Sequence, residues 1–313
     1  MDTMGERPAL AAEARATLDL LASLRVPPLE MLSVEAARQL QLPKMAGPEM
    51  DAVENRLLPG PAGAIPIRIY RPRVFDAPAP VLVYLHGGGW VVGTLDGYDL
   101  ICRQLAVAGD CVVVAVDYRL APEHPYPAAI DDCVAAWESL QATAADTGLD
   151  AGRFVVAGDS AGGNLAAALC LRLQGMCRPL PRYQVLYYPV TDAPGAWPSY
   201  VDNARGYLLT HAAMVWFWNH YAGHLQAPWP ADLAPLHAAN HAGLPPAMVV
   251  SAGYDPLRDE GEEYARRLRA AGVPTALRQY PGQIHGFLGL GQDSADCIAA
   301  TGEELRRVFA LPG

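Results

Sequence analysis

Basic side chains are in the minority in this sequence of 313 residues. Its 23 Lys and Arg stand against 33 Asp and Glu, which gives a formal net charge of −10. Binding to nucleic acid or to an anionic membrane surface requires clustered Lys and Arg. The charge balance therefore disfavours both, and we expect neither a nucleic-acid nor a membrane partner.

Other signals are missing as well. No apolar run approaches the ~18 residues that a membrane-spanning helix needs. Residues 1–8 lack the basic and apolar segments of a secretory leader, so we expect a cytoplasmic protein. The six cysteines do not have the paired spacing of zinc sites or disulfide scaffolds, and we expect free thiols. Neither a P-loop nor a dinucleotide motif occurs, so no cofactor and no metal are predicted.

What the sequence does have is a regular alternation of strands and helices. The pattern favours an α/β fold, in which a mostly parallel sheet of eight strands has helices on both faces. The turn composition of residues 60–63 predicts an antiparallel hairpin at one edge of that sheet. Strands are predicted at residues 53–59, 65–71, 80–86, 111–118, 153–158, 183–189, 247–252 and 275–280. Helices are predicted at residues 127–143, after residue 160, at 259–271 and at 294–309.

Two segments interrupt this alternation. Residues 1–48 precede the sheet and look helical, and residues 193–225 are inserted between the sixth and seventh strands. The insertion is rich in aromatic residues, which is typical of a lid over an apolar pocket, although packing within the insertion would also explain them. We expect both segments to form a cap on a catalytic domain of residues 49–192 and 226–313.

A G-x-S-x-G motif lies between a predicted strand and a predicted helix. The apolar run of residues 154–157 leads into Gly158-Asp159-Ser160-Ala161-Gly162, and the helix follows. Glycines flank such a serine because the turn is too tight for side chains beside it. The helix N-terminus also favours developing negative charge. Ser160 is therefore the predicted nucleophile.

A glycine run follows the third predicted strand, in His86-Gly87-Gly88-Gly89-Trp90. Acyl transfer produces a tetrahedral oxyanion, and backbone N–H groups approach it most easily where no Cβ intervenes. We predict that Gly88, Gly89 and Ala161 donate these hydrogen bonds. His86 is interpreted as structural, and Trp90 as a residue of the acyl pocket.

The order of the other candidates fits an α/β-hydrolase, in which the serine is followed by an acid and then by a histidine. His285 lies in a predicted loop after the last strand, so it is the predicted base. Asp255 follows the seventh strand and is the predicted acid, with Asp192, after the sixth strand, as the alternative. Asp259 is expected to cap the next helix in a capping-box-like arrangement with Glu262.

Several motifs together resemble the hormone-sensitive-lipase-like carboxylesterases, also called bacterial family IV esterases. They occur in the expected order at residues 86–90, 118–123, 126–128, 158–163, 243–247, 255–260 and 284–287. The resemblance implies an α/β-hydrolase fold with a helical cap and metal-independent hydrolysis of short to medium acyl esters. It also implies a triad of Ser160, Asp255 and His285.

The sequence is compatible with three hypotheses about the function. The resemblance favours a carboxylesterase that acts on a small-molecule ester, with Trp90, Tyr188, Tyr207 and Phe217 as candidate substrate-binding residues. The same triad also serves an amidase or a lactonase. A receptor that binds a small molecule without catalysis is the third reading, because relatives of the family include such receptors. The resemblance and the general behaviour of edge strands suggest a homodimer that pairs through the eighth strand.

Overall fold

The computed structural model describes residues 8–40 and 45–311. Residues 1–7, on which the expectation of no secretory leader depends, lie outside the described residues, as do residues 41–44 and 312–313. Eight strands form one sheet, as the sequence predicts. They are β1 (Ala52–Gly60), β2 (Gly63–Arg71), β3 (Ala79–Leu85), β4 (Val112–Val116), β5 (Leu149–Asp159), β6 (Gln184–Tyr187), β7 (Ala247–Tyr254) and β8 (Thr275–Ile284).

The order of the strands places the ends of β5, β7 and β8 on one side of the sheet. The order is β1-β2-β4-β3-β5-β6-β7-β8. β1 and β2 form the predicted antiparallel edge hairpin, β2 is antiparallel to β4, and the strands from β4 to β8 are parallel. The carboxyl ends of parallel strands meet at one edge, which is where α/β folds build their sites.

Helices cover both faces of the sheet. Successive side chains of a strand point to opposite faces, and both sets are apolar in β3: Val81 and Val83 enter one buried cluster, whereas Leu82 and Tyr84 enter another. The described helices are α1 (Ala12–Ser23), α2 (Val34–Gln39), α3 (Asp99–Gly109), α4 (Ala128–Ala142), α5 (Ala161–Gly175), α6 (Ser199–Asp202), α7 (His211–Ala222), α8 (Arg258–Ala270) and α9 (Gly291–Ala310).

The two segments outside the strand–helix alternation contain helices in their described parts, and they touch each other. α1 and α2 precede β1, and α6 and α7 lie between β6 and β7. The hydroxyl of Thr210, just before α7, donates to a carboxylate oxygen of Glu30 at 3.4 Å. Arg38 of α2 donates to the carbonyl of Val91 at 2.9 Å, close to the glycine run. The N-terminal segment is thereby attached both to the insertion and to the residue that follows the glycine run of residues 86–90.

Some element boundaries differ from the predicted ones. β8 continues through Pro281 and Gly282 to Ile284, because a register shift after Ala252 lets Tyr254 pair with Ile284. His285 therefore follows a strand directly instead of lying within a loop. Helix α3, between β3 and β4, is not among the helices that the sequence predicts with bounds.

The capping expectation for Asp259 is wrong. Helix α8 begins at Arg258 with Leu257 at its N-cap, so Asp259 lies within the first turn. Its carboxylate instead accepts hydrogen bonds from the N–H of Ser199 at 2.8 Å and from the side chain of Arg258 at 2.7 Å. Asp259 thus connects α8 to the insertion.

All six cysteines are free thiols, as predicted, and Cys177 is the exposed one. In the described part of the chain, every helix is too short or too polar to cross a lipid bilayer.

Candidate active site

Ser160 stands between the end of β5 and the start of α5. Its φ of 55° is unusual for a residue with a side chain and marks a strained turn. The turn is held by the N–H of Ser160, which donates to the carbonyl of Tyr187 at 2.8 Å. A Cβ at Gly158 or Gly162 would overlap neighbouring backbone, which explains the flanking glycines. This turn carries the serine above the edge of the sheet.

His285 reaches Ser160 from the end of β8. Its Nε2 lies 2.9 Å from the Ser160 Oγ, within hydrogen-bond distance. The ring of Tyr188 meets the imidazole edge to face, with the ring centres 4.7 Å apart. Ser160 and His285 are each 7% exposed, so the pair is shielded while it keeps some access to solvent.

Asp255 lies on the far side of His285, just after β7. One carboxylate oxygen, Oδ2, is 2.7 Å from the His285 Nδ1, and the other, Oδ1, accepts the N–H of Leu257 at 2.8 Å. The side chain is completely buried. The Asp255 carbonyl also accepts the side-chain amide of Asn203, a residue of the insertion, at 2.9 Å. Asp255 is therefore fixed from two elements.

The three side chains form one hydrogen-bonded chain. A carboxylate only accepts, so the Nδ1 of His285 carries the proton and its Nε2 is left to accept the Ser160 O–H. In this tautomer the imidazole can take a proton from the hydroxyl, while the carboxylate stabilises the imidazolium that results. The arrangement can perform nucleophilic acyl transfer.

Asp192, the alternative acid, is engaged elsewhere. Its Oδ1 lies 2.7 Å from the Nε2 of His237, and its Oδ2 accepts the indole N–H of Trp197 at 3.0 Å. The structure brings Asp255, and not Asp192, to His285.

The glycine run packs against the N-terminus of α5. A Cβ on Gly162 would lie 2.6 Å from the carbonyl oxygen of His86, so the start of the run and the first turn of α5 are in close contact. Gly88 and Gly89 have φ values of 109° and 58°, which other residues rarely adopt. The N–H of Ala161, first in α5, has no acceptor within its own helix. The run follows β3 and this amide follows β5, and these strands are parallel neighbours. Both therefore lie at the same end of the sheet as Ser160.

Two of the candidate substrate-binding residues are involved in contacts between the glycine run and the insertion. Phe217 of α7 packs over Gly89, where its ring occupies the space that a Cβ would take. Trp90 has no exposed surface, because its indole stacks on Tyr221 at 4.4 Å and meets Trp218 edge to face at 6.2 Å. The Trp90 side chain is thus packed against α7 and does not face an open cavity.

The other two candidates lie on the His285 side. Tyr188 is 2% exposed, has a φ of 35° and packs against both His285 and Phe287. Tyr207 is half-buried, and its ring lies 4.9 Å from that of Tyr254, the residue before Asp255. Both tyrosines belong to the surroundings of the acid and the base.

His86 is buried beneath the glycine run. Its Nδ1 lies 2.8 Å from the carbonyl oxygen of Gly87, to which it donates, and its ring stacks on Tyr118 with the centres 4.3 Å apart. Burial lowers the pKa of His86 from 6.5 to about 4. The ring is therefore neutral near pH 7, in keeping with a structural role.

This lowered pKa predicts a loss of stability in acid. Between pH 6.5 and 4 an unfolded chain gains a proton on this histidine that the folded chain does not take up. The free energy of unfolding should fall by about 3 kcal/mol over this range. We expect His86→Asn, which can keep the hydrogen bond to Gly87, to show a flatter dependence of Tm on pH than the unsubstituted protein. The matched change at an exposed histidine, His224→Asn, should leave the slope unaltered, and equal slopes for all three proteins would contradict the prediction.

Two buried carboxylates near the site, those of Asp159 and Glu260, are not predicted from the sequence. Asp159 accepts the N–H of Gly87, in the glycine run, at 2.9 Å. Glu260 of α8 is completely buried and accepts the N–H groups of Thr191 and Asp192 at 2.7 and 3.2 Å. Burial raises the pKa of Glu260 well above its ordinary value. Both residues lie inside motifs that the sequence displays, but their partners are about 70 positions away in the chain.

Known proteins resemble this chain over most of its length. A family model described as the alpha/beta hydrolase fold matches residues 82–289. The chain is 46% identical to the esterase LipI of Mycobacterium tuberculosis over 263 residues, which cover 82% of each protein. It is 43% identical to an ethyl acetate hydrolase of Pseudomonas putida over 237 residues, 72% of each.

A solved structure extends the similarity to the whole fold. The crystal structure of a thermostable esterase from Pseudomonas putida superposes with a TM-score of 0.93 at 34% identity, covering 98% of this chain and all of the other.

Proposed function

Because this chain belongs to the hormone-sensitive-lipase-like carboxylesterases of the α/β-hydrolase family, we propose that it hydrolyses small esters of short to medium carboxylic acids, with Ser160 as nucleophile. The observation that carries the proposal is the chain of hydrogen bonds from Ser160 through His285 to Asp255, with distances of 2.9 and 2.7 Å. His285 and Asp255 are sufficient to activate the Ser160 hydroxyl as a nucleophile.

In the proposed first step the His285 Nε2 accepts the proton of Ser160 as its Oγ attacks the ester carbonyl. The carbonyl oxygen becomes negatively charged, and the N–H groups of Gly88, Gly89 and Ala161 stabilise it. Asp255 stabilises the imidazolium. When the intermediate collapses, the imidazolium gives its proton to the departing alcohol, which leaves an acyl group on Ser160.

Water completes the cycle. His285 takes a proton from the water as it attacks the acyl-enzyme, and the second intermediate uses the same oxyanion donors. The proton then returns to the Ser160 Oγ as the carboxylic acid is released. The Ser160 proton leaves with the alcohol and is replaced by a proton from the attacking water, so the enzyme is regenerated.

The preference for short acyl groups is supported by the surroundings of the serine. Phe217 packs over Gly89, Tyr188 covers one edge of His285, and the insertion adds further aromatic surface near the site. A relative is named for the hydrolysis of ethyl acetate, an ester of a short acid. We propose that residues 1–48 and 193–225 form a cap, and that Phe217, Tyr188 and Tyr207 border the substrate on its inner side. Trp90 contributes through its packing against α7.

Esters of increasing chain length test this preference. We expect kcat/KM on p-nitrophenyl esters to be highest for acyl chains of about two to eight carbons and at least about 10-fold lower at sixteen, because each extra methylene needs apolar room to bind. Assays below the micelle-forming concentration of each ester keep the comparison valid. A maximum at the longest chains would contradict the proposed acyl range.

Matched amides and lactones decide between ester hydrolysis and its alternatives. We expect p-nitrophenyl butyrate to exceed the corresponding p-nitroanilide in kcat/KM by at least about 100-fold. A higher kcat/KM on the anilide or on γ- or δ-lactones would show an amidase or a lactonase with the same triad. Binding of these compounds without turnover would favour a receptor.

We further propose that the protein pairs with a second copy through β8. This strand is the last in the order of the sheet, so the outer edge of its residues 275–280 can add another strand, whereas further along the Gly282 carbonyl already accepts the N–H of Ala11 at 2.8 Å. Sedimentation velocity of the purified protein measures the outcome, and a monomer at micromolar concentration would contradict the pairing.

A further inference from the structure

The carboxylate of Asp159 is held by three donors, all of which lie within residues 84–98. Its Oδ1 accepts the hydroxyl of Tyr84 at 2.8 Å and the backbone N–H of Gly87 at 2.9 Å, and its Oδ2 accepts the hydroxyl of Tyr98 at 3.1 Å. Asp159 is 5% exposed. A buried carboxylate is costly unless it is well hydrogen-bonded, and this one meets the requirement.

The hydrogen bond from Gly87 to Asp159 connects two functional segments of the chain. Asp159 is the residue directly before Ser160, and Gly87 directly precedes Gly88 and Gly89. One hydrogen bond therefore joins the turn that carries the nucleophile to the loop that carries two proposed oxyanion donors, across 72 positions of sequence. The fit is close, because a Cβ on Gly87 would lie 2.8 Å from the Tyr98 hydroxyl oxygen and would overlap the carboxylate.

The effect of this carboxylate can be ascribed to its role as an acceptor. Burial raises the pKa of Asp159, and the hydrogen bonds from Tyr84, Tyr98 and Gly87 oppose that rise, as does the nearby His285. A full negative charge close to a developing oxyanion would repel it, so the charge itself offers catalysis no advantage. An uncharged group with an acceptor in the same place should serve equally well.

We propose that Asp159 is a positioning residue. Its carboxylate binds the Gly87 N–H and so holds the Gly88 and Gly89 amides of the glycine run facing Ser160. The proposal rests on the proposed function of these amides. Asp159 touches neither the substrate nor the reacting atoms in this scheme. It acts through the loop, and it should affect the transition state more than the binding of substrate.

Two substitutions at Asp159 separate the acceptor from the charge. Asp159→Asn keeps an oxygen that can accept from both Tyr84 and Gly87, and its amide can donate to the Tyr98 hydroxyl oxygen. We expect kcat on p-nitrophenyl butyrate to stay within about 5-fold of wild type. Asp159→Ala removes the acceptor, and we expect kcat to fall by about 100-fold with KM changed by less than about 3-fold, the size of effect seen when an oxyanion donor is lost.

A transition-state analogue gives a readout that a structural role would not move. A trifluoromethyl ketone forms a hemiketal on Ser160 whose oxygen occupies the oxyanion site, so its Ki should rise in Asp159→Ala by about the factor lost from kcat/KM. Thr301→Val is the matched control, since it removes another buried hydrogen bond, from the Tyr187 hydroxyl to the Thr301 hydroxyl at 2.9 Å, by a change in α9 away from the site. It should lower Tm while leaving kcat and Ki within about 2-fold.

The outcomes are distinguishable from failure of the proposed function. If Ser160→Ala is inactive but folded Asp159→Ala keeps the kcat and Ki of wild type, the positioning role is wrong and the proposed function stands. Equal losses in Asp159→Asn and Asp159→Ala would overturn the acceptor role in favour of the charge. Should Asp159→Ala fail to fold, Asp159→Leu, which fills more of the same space without an acceptor, takes its place with the same expected loss.

Discussion

The Ser160→Ala variant is expected to lose at least about 10⁴-fold of the wild-type kcat on p-nitrophenyl butyrate. Alanine removes the Oγ that lies 2.9 Å from the His285 Nε2, so no acyl-enzyme can form. The oxyanion donors remain and can assist direct attack by water, which is why some residual rate above the uncatalysed reaction is expected. Initial rates of p-nitrophenol release at saturating ester measure the change.

A second serine on the neighbouring part of the sheet provides the control. Ser251 of β7 is 3% exposed and donates its hydroxyl to Glu262 at 2.8 Å. Ser251→Ala removes the same atom type from an equally buried place, and we expect kcat within about 3-fold of wild type. Equal activity of Ser160→Ala and wild type would eliminate Ser160 as the nucleophile.

The Asp255→Asn variant is expected to lose about 10⁴-fold in kcat, for a reason that its two hydrogen bonds make explicit. Oδ1 accepts the Leu257 N–H and Oδ2 accepts the His285 Nδ1–H. An Asn that keeps its oxygen toward Leu257 turns its NH₂ group toward the imidazole. The Nδ1 must then accept, the proton moves to Nε2, and the ring can no longer take a proton from Ser160.

Asp192→Asn is the matched control for this prediction. Asp192 binds His237 and Trp197 and not His285, so the same change there should leave kcat within about 10-fold of wild type. The pair of variants also decides between the two acids that the sequence offered. A large loss for Asp192→Asn combined with a small loss for Asp255→Asn would reverse the proposed assignment.

The strands and the order of the site residues could be predicted because both depend on local patterns. Continuous apolar runs in β3, β4 and β7 predict doubly covered strands, and the structure confirms the eight-stranded sheet. The strand–turn–helix context of Ser160 and the chain order Ser, Asp, His predict three residues, and in the structure His285 lies within hydrogen-bond distance of both others. The parallel arrangement of the strands brings these three residues together, because the carboxyl ends of parallel strands meet at one edge of the sheet.

What could not be predicted depends on partners far away in the chain. Nothing local shows that Asp159 accepts from Gly87, or that Asp259 accepts from Ser199 of the insertion instead of capping its own helix. The extension of β8 through Pro281 depends on a register shift in β7, which residues 275–284 do not reveal. The sequence predicts Trp90 in the pocket because this residue follows the glycine run, whereas its orientation is set by packing against Tyr221 of α7. Side-chain direction at such positions is decided by packing between elements.

Labelling with a fluorophosphonate tests the central claim most directly, because the reagent forms a covalent bond only with a serine that is activated for attack on a tetrahedral centre. We expect one phosphonyl group per folded chain by intact mass, located by peptide mapping on Ser160, and no such adduct in Ser160→Ala. No adduct on the folded wild-type protein, or an adduct on a different residue, would contradict it.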